Sequence, residues 1–271
     1  MTESELVFSE VLGCSREQLY LNKKRLLTQK ETSFLSDVLR RRSYGEPIQY
    51  ILGKTEFMGM EFKLSPYVFI PRPETEILVQ AVINLVTGRR PQAVCMDIGT
   101  GSGNIAVSLA KLLKDCEVLA VDISPEAIAV AKYNSLINGV AGKVNFINQD
   151  FLGLKPQSRS LFSSRFDLIV SNPPYIPSIE IKGLQPELSY EPRVALDGGI
   201  NGLGFYHHIV QDASVYLKKN GFLIMEMGFN QCPGIKEIFD SIGKFQIIDV
   251  VKDYNNIDRV IVAKKQVKNP R

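Results

Sequence analysis

The chain of 271 residues has no tryptophan, two histidines, four cysteines and no long apolar run, and each shortage closes off a class of function. His207 and His208 are neighbours, and adjacent helical positions point apart. A Ser-His-Asp triad or a structural metal site therefore has little to build on. Cys14, Cys95, Cys116 and Cys232 are scattered without a C-x-x-C pair, which gives neither a zinc site nor a disulfide framework. No metal is expected. No stretch reaches the ~18 consecutive apolar residues of a spanning helix. Met1-Thr2-Glu3-Ser4-Glu5 is acidic where an export signal has a basic start and an apolar middle. The expectation is a cytoplasmic protein with no membrane attachment. Charge of one sign is also lacking: 32 Lys+Arg against 29 Asp+Glu leave +3, too even for nucleic-acid binding by bulk electrostatics.

What is present is a globular composition, 45% hydrophobic and 23% charged, at a length that suits one large or two modest domains. The amino-terminal stretch reads as helical. Leu6, Val7, Val11 and Leu12, then Leu19, Leu26 and Leu27, then Phe34, Leu35, Val38 and Leu39 recur at helical spacing. Gly13 predicts an early turn, and no Gly or Pro interrupts 15–44. Gly45-Glu46-Pro47 predicts the stop, since the residue before a proline avoids the helical region. From 48 to 70 short extended pieces are expected, with 56–62 as a tight hairpin. Glu74 and Glu76 then open a new helix, whose dipole favours acids in the first turn. Three segments follow: a helical unit over 1–47, a hairpin linker over 48–70 and a main domain over 71–271.

In that main domain the spacing predicts strands at 93–97, 117–122, 144–148, 166–171, 221–227, 245–251 and 259–264. Helices are predicted at 75–86, 105–113, 125–138, 205–217 and 234–242. This alternation is the pattern of an α/β fold, a mostly parallel Rossmann-like sheet covered on both faces. The last two strands leave no room for a helix between them and should pair antiparallel at one edge.

Two patterns carry chemistry. The first is Asp97-Ile98-Gly99-Thr100-Gly101-Ser102-Gly103-Asn104, a strand end, a glycine-rich turn and a helix start. Such turns lie beyond the carboxyl ends of the strands, where an open α/β sheet binds its ligand. The next strand ends in Asp122, placed to accept ribose hydroxyls. A dinucleotide fingerprint requires Gly or Ala where Asn104 stands. Asp97 would repel a pyrophosphate, but it suits the ammonium of S-adenosylmethionine. The pattern therefore favours S-adenosylmethionine over NAD; a bare structural turn is the other alternative. After a third strand, Asp150 is placed to accept from an adenine amino group and Phe151 to pack on its ring, unless this is an ordinary loop.

The second is Ser171-Asn172-Pro173-Pro174-Tyr175, again at a strand end. Two prolines fix φ and remove two backbone donors, leaving carbonyl oxygens, the Asn172 amide and an aromatic ring. That set receives a planar NH2 group. An amide nitrogen is a poor nucleophile because its lone pair is delocalised. The Asn172 side-chain oxygen and the Pro173 carbonyl, facing its two protons, would hold it in the nucleophilic form, with Tyr175 stacked on the plane. Asn172, Pro173 and Tyr175 are thus the candidate catalytic residues, and Asn172 to Tyr175 the candidate substrate site.

With these motifs the chain resembles the release-factor glutamine methyltransferase family (HemK/PrmC type) over nearly its whole length. The resemblance also includes Gly45-Glu46-Pro47-Ile48-Gln49-Tyr50-Ile51, Phe69-Ile70-Pro71-Arg72-Pro73-Glu74-Thr75-Glu76, Glu191 to Gly199 with Gly202-Leu203, and Asp253-Tyr254 with Arg259. It implies a five-helix or similar amino-terminal domain that recognises the release factor, a hairpin, and a seven-stranded S-adenosylmethionine-dependent methyltransferase domain. It implies that Gly99 to Gly103, Asp122, Phe151 and Asn172 contact the cofactor, with S-adenosyl-L-homocysteine as product. Asn172 to Tyr175 would hold the glutamine of a Gly-Gly-Gln loop and yield N5-methylglutamine, with no nucleic acid required. Asn255-Asn256 departs from the small residues usual at that place, though Asn tolerates positive φ. The rival readings are a ribosomal-protein glutamine methyltransferase, a nucleic-acid amino-methyltransferase, an NAD-dependent oxidoreductase and a cofactor-binding regulator without catalysis.

Overall fold

A computed structural model describes residues 2–21, 24–87, 92–153 and 165–266; residues 88–91, 154–164 and 267–271 of the expected main domain lie outside these. Four helices come first. α1 (Glu3–Leu12) opens on a capping box, Thr2 with Glu5, and stops at Gly13 in the left-handed conformation. α2 (Arg16–Leu21) is a short turn and a half, and α3 (Gln29–Ser43) starts at a second capping box, Thr28 with Glu31. The helical reading of 15–44 is thus broken in the middle without a Gly or Pro, because cap chemistry starts a new helix at Thr28.

α4 (Ile48–Leu52) replaces the extended piece expected at that place. Pro47 precedes its first turn at φ −56°, so the proline that ends one helix also pre-sets the next. Ile48 and Ile51 bury themselves against Val7 and Val38, closing a small core of their own.

β1 (Lys54–Phe57) and β2 (Met60–Lys63) form the expected hairpin, with Phe57 opposite Met60. Met58 and Gly59 have φ of 50° and 72°, the pair of positive angles that a two-residue type I′ turn demands. The hairpin is more than a connection. Phe57 and Phe62 stack edge to face at 6.0 Å and sink into the main core beside Leu78 and Val82.

The main domain begins with α5 (Pro73–Val86). It continues through β3 (Ala93–Ile98), α6 (Asn104–Leu112), β4 (Cys116–Asp122), α7 (Pro125–Ile137), β5 (Val144–Asn148) and β6 (Phe166–Ser171). It ends with α8 (Gly204–Tyr216), β7 (Leu217–Glu226), α9 (Cys232–Ile242), β8 (Phe245–Lys252) and β9 (Asp258–Lys265). The seven strands lie in the order β5-β4-β3-β6-β7-β9-β8. All neighbours are parallel except β9, which runs antiparallel to both β7 and β8. Each face of the sheet carries its own apolar layer, one under α5 and α6, the other under α8 and α9. β7 starts four residues ahead of the expected 221, since Leu217 already pairs with Phe166 before a bulge. Asn256 adopts φ 63°, so the departure at Asn255-Asn256 sits in a turn that asparagine tolerates. β3 and β6 lie side by side where the strand order reverses, and their carboxyl ends open the crevice at which such sheets bind ligands.

Candidate active site

The glycine turn leaves β3 and folds back over β4. The backbone amides of Gly99 and Thr100 both donate to the Val121 carbonyl, at 2.9 and 3.1 Å. Asp122, at the end of β4, accepts from the Gly101 amide at 2.8 Å and the Ser124 amide at 2.9 Å. A carboxylate offers about four acceptor positions, so Asp122 braces the loop and keeps capacity for two hydroxyls. Burial pushes its carboxyl up, opposed by the Ser124 and Gly101 amides.

Two of the residues expected at the cofactor stand behind the wall of the cleft rather than on it. Asp97 is 0% exposed; the Thr100 hydroxyl donates to it at 2.7 Å, and its Oδ1 has no hydrogen-bond partner. Burial raises its carboxyl to about 7, against the Thr100 bond and helped by the charge of Asp122. Its link to the cleft is the Thr100 hydroxyl. Gly103 has φ 81°, and a Cβ there would lie 3.0 Å from the Ala131 methyl; it lets the loop pack on α7.

Gly99, Thr100, Gly101, Ser102, Asp122, Asp150, Phe151 and Asn172 to Tyr175 converge on one cleft of about 450 Å³. Phe151 packs against Tyr216 at 5.5 Å, and Asp150 accepts from the Leu152 amide at 2.9 Å. Among the described residues, Arg72 is the one basic side chain on the wall, and Glu191 holds it in an ion pair. A pyrophosphate would find acids and no free cation. A sulfonium with an ammonium fits the same donor set, and the amino-terminal end of α6 suits its carboxylate.

The Asn172 loop is clamped from two sides. Its Nδ2 donates to the Thr75 hydroxyl in the first turn of α5, at 3.2 Å. The Ile176 amide donates to Leu196 O at 3.0 Å, the Gly198 amide to Ile176 O at 2.8 Å, and Gln231 Nε2 to Tyr175 O at 2.9 Å. A Cβ on Gly198 would meet Tyr175 Cα at 2.7 Å. Close approach to Tyr175 is thus what Gly198 and Gly202 of the 191–202 stretch provide. Glu191 in turn accepts from the Ile70 amide at 3.1 Å and pairs with Arg72, joining this stretch to the one around Pro71.

Three positions carry this geometry to which the sequence reading gave no role at the site, Thr75 among them although it stands in the 69–76 stretch. Thr75 orients Asn172. Glu226, which closes β7, is buried behind both, and burial lifts its carboxyl to about 7 against the Thr75 bond and the charge of Arg259. An acid that ends an otherwise apolar strand, as Asp122 also does, is the signal that marks it. The third is Asn134 on α7, which takes the Lys63 amide and gives to the Lys63 and Ser102 carbonyls at 2.8, 3.0 and 2.8 Å. It ties the hairpin to the glycine loop. Asn134→Ala leaves buried backbone groups unpaired, so a stability loss of about 1–3 kcal/mol is expected, with weaker donor binding as the loop loosens. Denaturant midpoints and titration calorimetry check the two effects; unchanged values in both would remove the tie.

A methyltransferase domain model matches residues 90–261, and a PrmC N-terminal domain model matches residues 1–53. The release factor glutamine methyltransferase of Geobacter sulfurreducens is 42% identical over 261 residues, spanning 96% of this chain and 87% of that protein. The Fusobacterium nucleatum enzyme of the same name is 38% identical over 270 residues, 99% of this chain and 74% of its own. The crystal structure of a methyltransferase from Pyrococcus furiosus superposes with TM-score 0.55 at 18% identity, covering 86% of this chain and all of that one, a likeness of fold.

Proposed function

Because the chain belongs to the release factor glutamine methyltransferases, S-adenosylmethionine-dependent protein-(glutamine-N5) methyltransferases, we propose that Asn172 to Tyr175 hold the glutamine of a release factor's Gly-Gly-Gln motif. The observation that carries this is the fixed Asn172 amide: with Nδ2 engaged by Thr75, Oδ1 is left for an incoming donor. Oδ1 and the Pro173 carbonyl accept the two protons of the substrate NH2, and the Tyr175 ring packs on its plane. The cofactor, when bound, supplies an electrophilic methyl group on a sulfonium.

Alignment is the chain's main contribution, at most ~7–11 kcal/mol, joined by acceptor dipoles that favour the positive charge growing on nitrogen. No base is required beforehand, because the methylated nitrogen is acidic and sheds its proton afterwards. Asp122 would take the ribose hydroxyls, Asp150 and Phe151 the adenine, and the glycine loop with Thr100 the amino-acid end, backed by the charge of Asp97.

We place recognition of the release factor on the amino-terminal unit. Arg42 pairs with Glu187, and the Tyr190 hydroxyl donates to Tyr44 O at 3.0 Å. These bonds dock the unit on the 186–196 segment, whose Leu188, Pro192 and Val194 line the cleft. Of the two basic runs there, 23–25 and 40–42, the second is spent within the chain, Arg40 pairing with Asp37, Arg41 with Glu46, and Arg42 with Glu3 and Glu187, and Arg25 of the first pairs with Glu31. That argues for a protein substrate with no nucleic acid required. No helix among the described residues is long and apolar enough to cross a membrane, and a cytoplasmic site of action accords with the substrate.

Incubation with labelled methyl donor and purified release factors is expected to label the wild-type factor and to leave its Gln→Ala variant in the Gly-Gly-Gln motif unlabelled. Label on the variant, or on nucleic acid, would reject the substrate.

A further inference from the structure

We propose that Glu226 and Thr75 are positioning residues that decide which end of the Asn172 carboxamide faces the cleft. This rests on Asn172 being the acceptor for the substrate amide, as read above, and it assigns a task to two buried side chains behind that amide.

β6 and β7 run parallel with Ser171 opposite Met225, so the residues that follow, Asn172 and Glu226, leave their strand ends side by side. Thr75 comes to the same place from the first turn of α5. Thr75 is 1% exposed and Glu226 2%. The Thr75 hydroxyl and the Asn172 amide both neighbour the Glu226 carboxyl, and each lowers its pKa; Asn172 Nδ2 donates to Thr75 Oγ1 at 3.2 Å. Glu226 Oε2 has no hydrogen-bond partner of its own. The carboxylate therefore depends on these two neighbours for donors.

The polarity of the chain follows from what each group can do. A carboxylate only accepts, whereas a hydroxyl has one proton and two lone pairs. In its ionised form Glu226 draws the Thr75 proton, so Thr75 can then offer Asn172 only a lone pair. Asn172 must then turn its NH2 inward, which leaves Oδ1 facing the cleft. The opposite rotamer would set the amide oxygen against acceptors in a buried place, where an unmade bond is costly. Glu226 thus converts an amide with two equally shaped ends into an acceptor of fixed direction.

The test uses the full chain, labelled donor and release factor. Glu226→Gln and Thr75→Val are each expected to lower kcat about 10- to 100-fold, with both KM values within about threefold. Thr75→Ser, which keeps the hydroxyl, should stay within about threefold of the wild type. In the double variant, E226Q with T75V, kcat should match the slower single variant, because both changes break one chain. Thermal unfolding of each variant confirms that a folded protein is being assayed, and the Ser/Val contrast holds even where Glu226→Gln fails to fold. Three results overturn the inference: kcat of E226Q within twofold of the wild type, T75S as slow as T75V, or multiplicative losses in the double variant. A wild-type chain that leaves the release factor unmethylated refutes the functional reading itself, and this inference with it; an active wild type with unaffected variants refutes the inference alone.

Discussion

Asn172→Ala is expected to lower turnover by about 10²–10³-fold or more, the usual cost of removing one preorganised polar group from a transition-state site. Affinity for the methyl donor should stay within about tenfold, ~1.4 kcal/mol. The split follows from the position of the residue. On the proposed reading the donor's ribose, adenine and amino-acid ends fall to Asp122, Phe151 and the glycine loop, which Val121 O and the Asp122 carboxylate hold through bonds that do not involve Asn172. The substrate nitrogen has only the Asn172 side chain and the Pro173 carbonyl. With one acceptor gone, its lone pair stays conjugated to the carbonyl, and the second acceptor cannot orient it alone. Single-turnover methyl transfer and calorimetric titration of the donor separate the two quantities. Loss of donor binding equal to the loss of turnover would make Asn172 a cofactor residue and leave the amide clamp without support.

How much of this was legible in the sequence depended on whether the causes were local. The alternation of strands and helices, the turn at Gly13 and the paired antiparallel edge are fixed by neighbours in the chain, and they appear where the pattern puts them. The break between α2 and α3 was equally local, written in Thr28 and Glu31, but its signal is a cap rather than a Gly or Pro. At Pro47 a single residue supports two readings, since it both disfavours the preceding helix and begins a new one. The site divides in the same way. A glycine turn and an Asn-Pro-Pro corner announce themselves, because each compresses unusual backbone chemistry into a few residues. What stands behind them does not. Asn172 meets Thr75 across 97 positions, Asn134 meets Lys63 across 71, and neither pairing has a sequence signature without the fold. Asp97 illustrates the limit of reasoning by charge: its type and place suggested direct contact with an ammonium, yet the strand buries it one layer back, with Thr100 between.

Gly202→Ala should be the most damaging single methyl group added outside the reacting residues. Gly202 has φ 73°, and a Cβ there would lie 2.3 Å from Tyr175 O and 2.7 Å from Gln231 Nε2. The left-handed conformation alone costs of order 1–3 kcal/mol. The contact with Tyr175 O is worse, because that atom is backbone and Gln231 already holds it at 2.9 Å. To admit the methyl group, the Gln231 bond must break and the Tyr175 peptide must move. A shift of about 1 Å in a positioning element can cost ~10²-fold in rate. The expectation is a stability loss of about 2–4 kcal/mol by denaturant unfolding, with kcat falling about 100-fold in the fraction that remains folded. Gly139→Ala isolates the backbone contribution: Gly139 has φ 70°, and a Cβ there would meet nothing within 4 Å, so it should lose stability of order 1–3 kcal/mol and keep its kcat. If the two variants lose stability and rate alike, the close approach of Gly202 to Tyr175 carries no weight, and the 191–202 stretch does not shape the substrate corner.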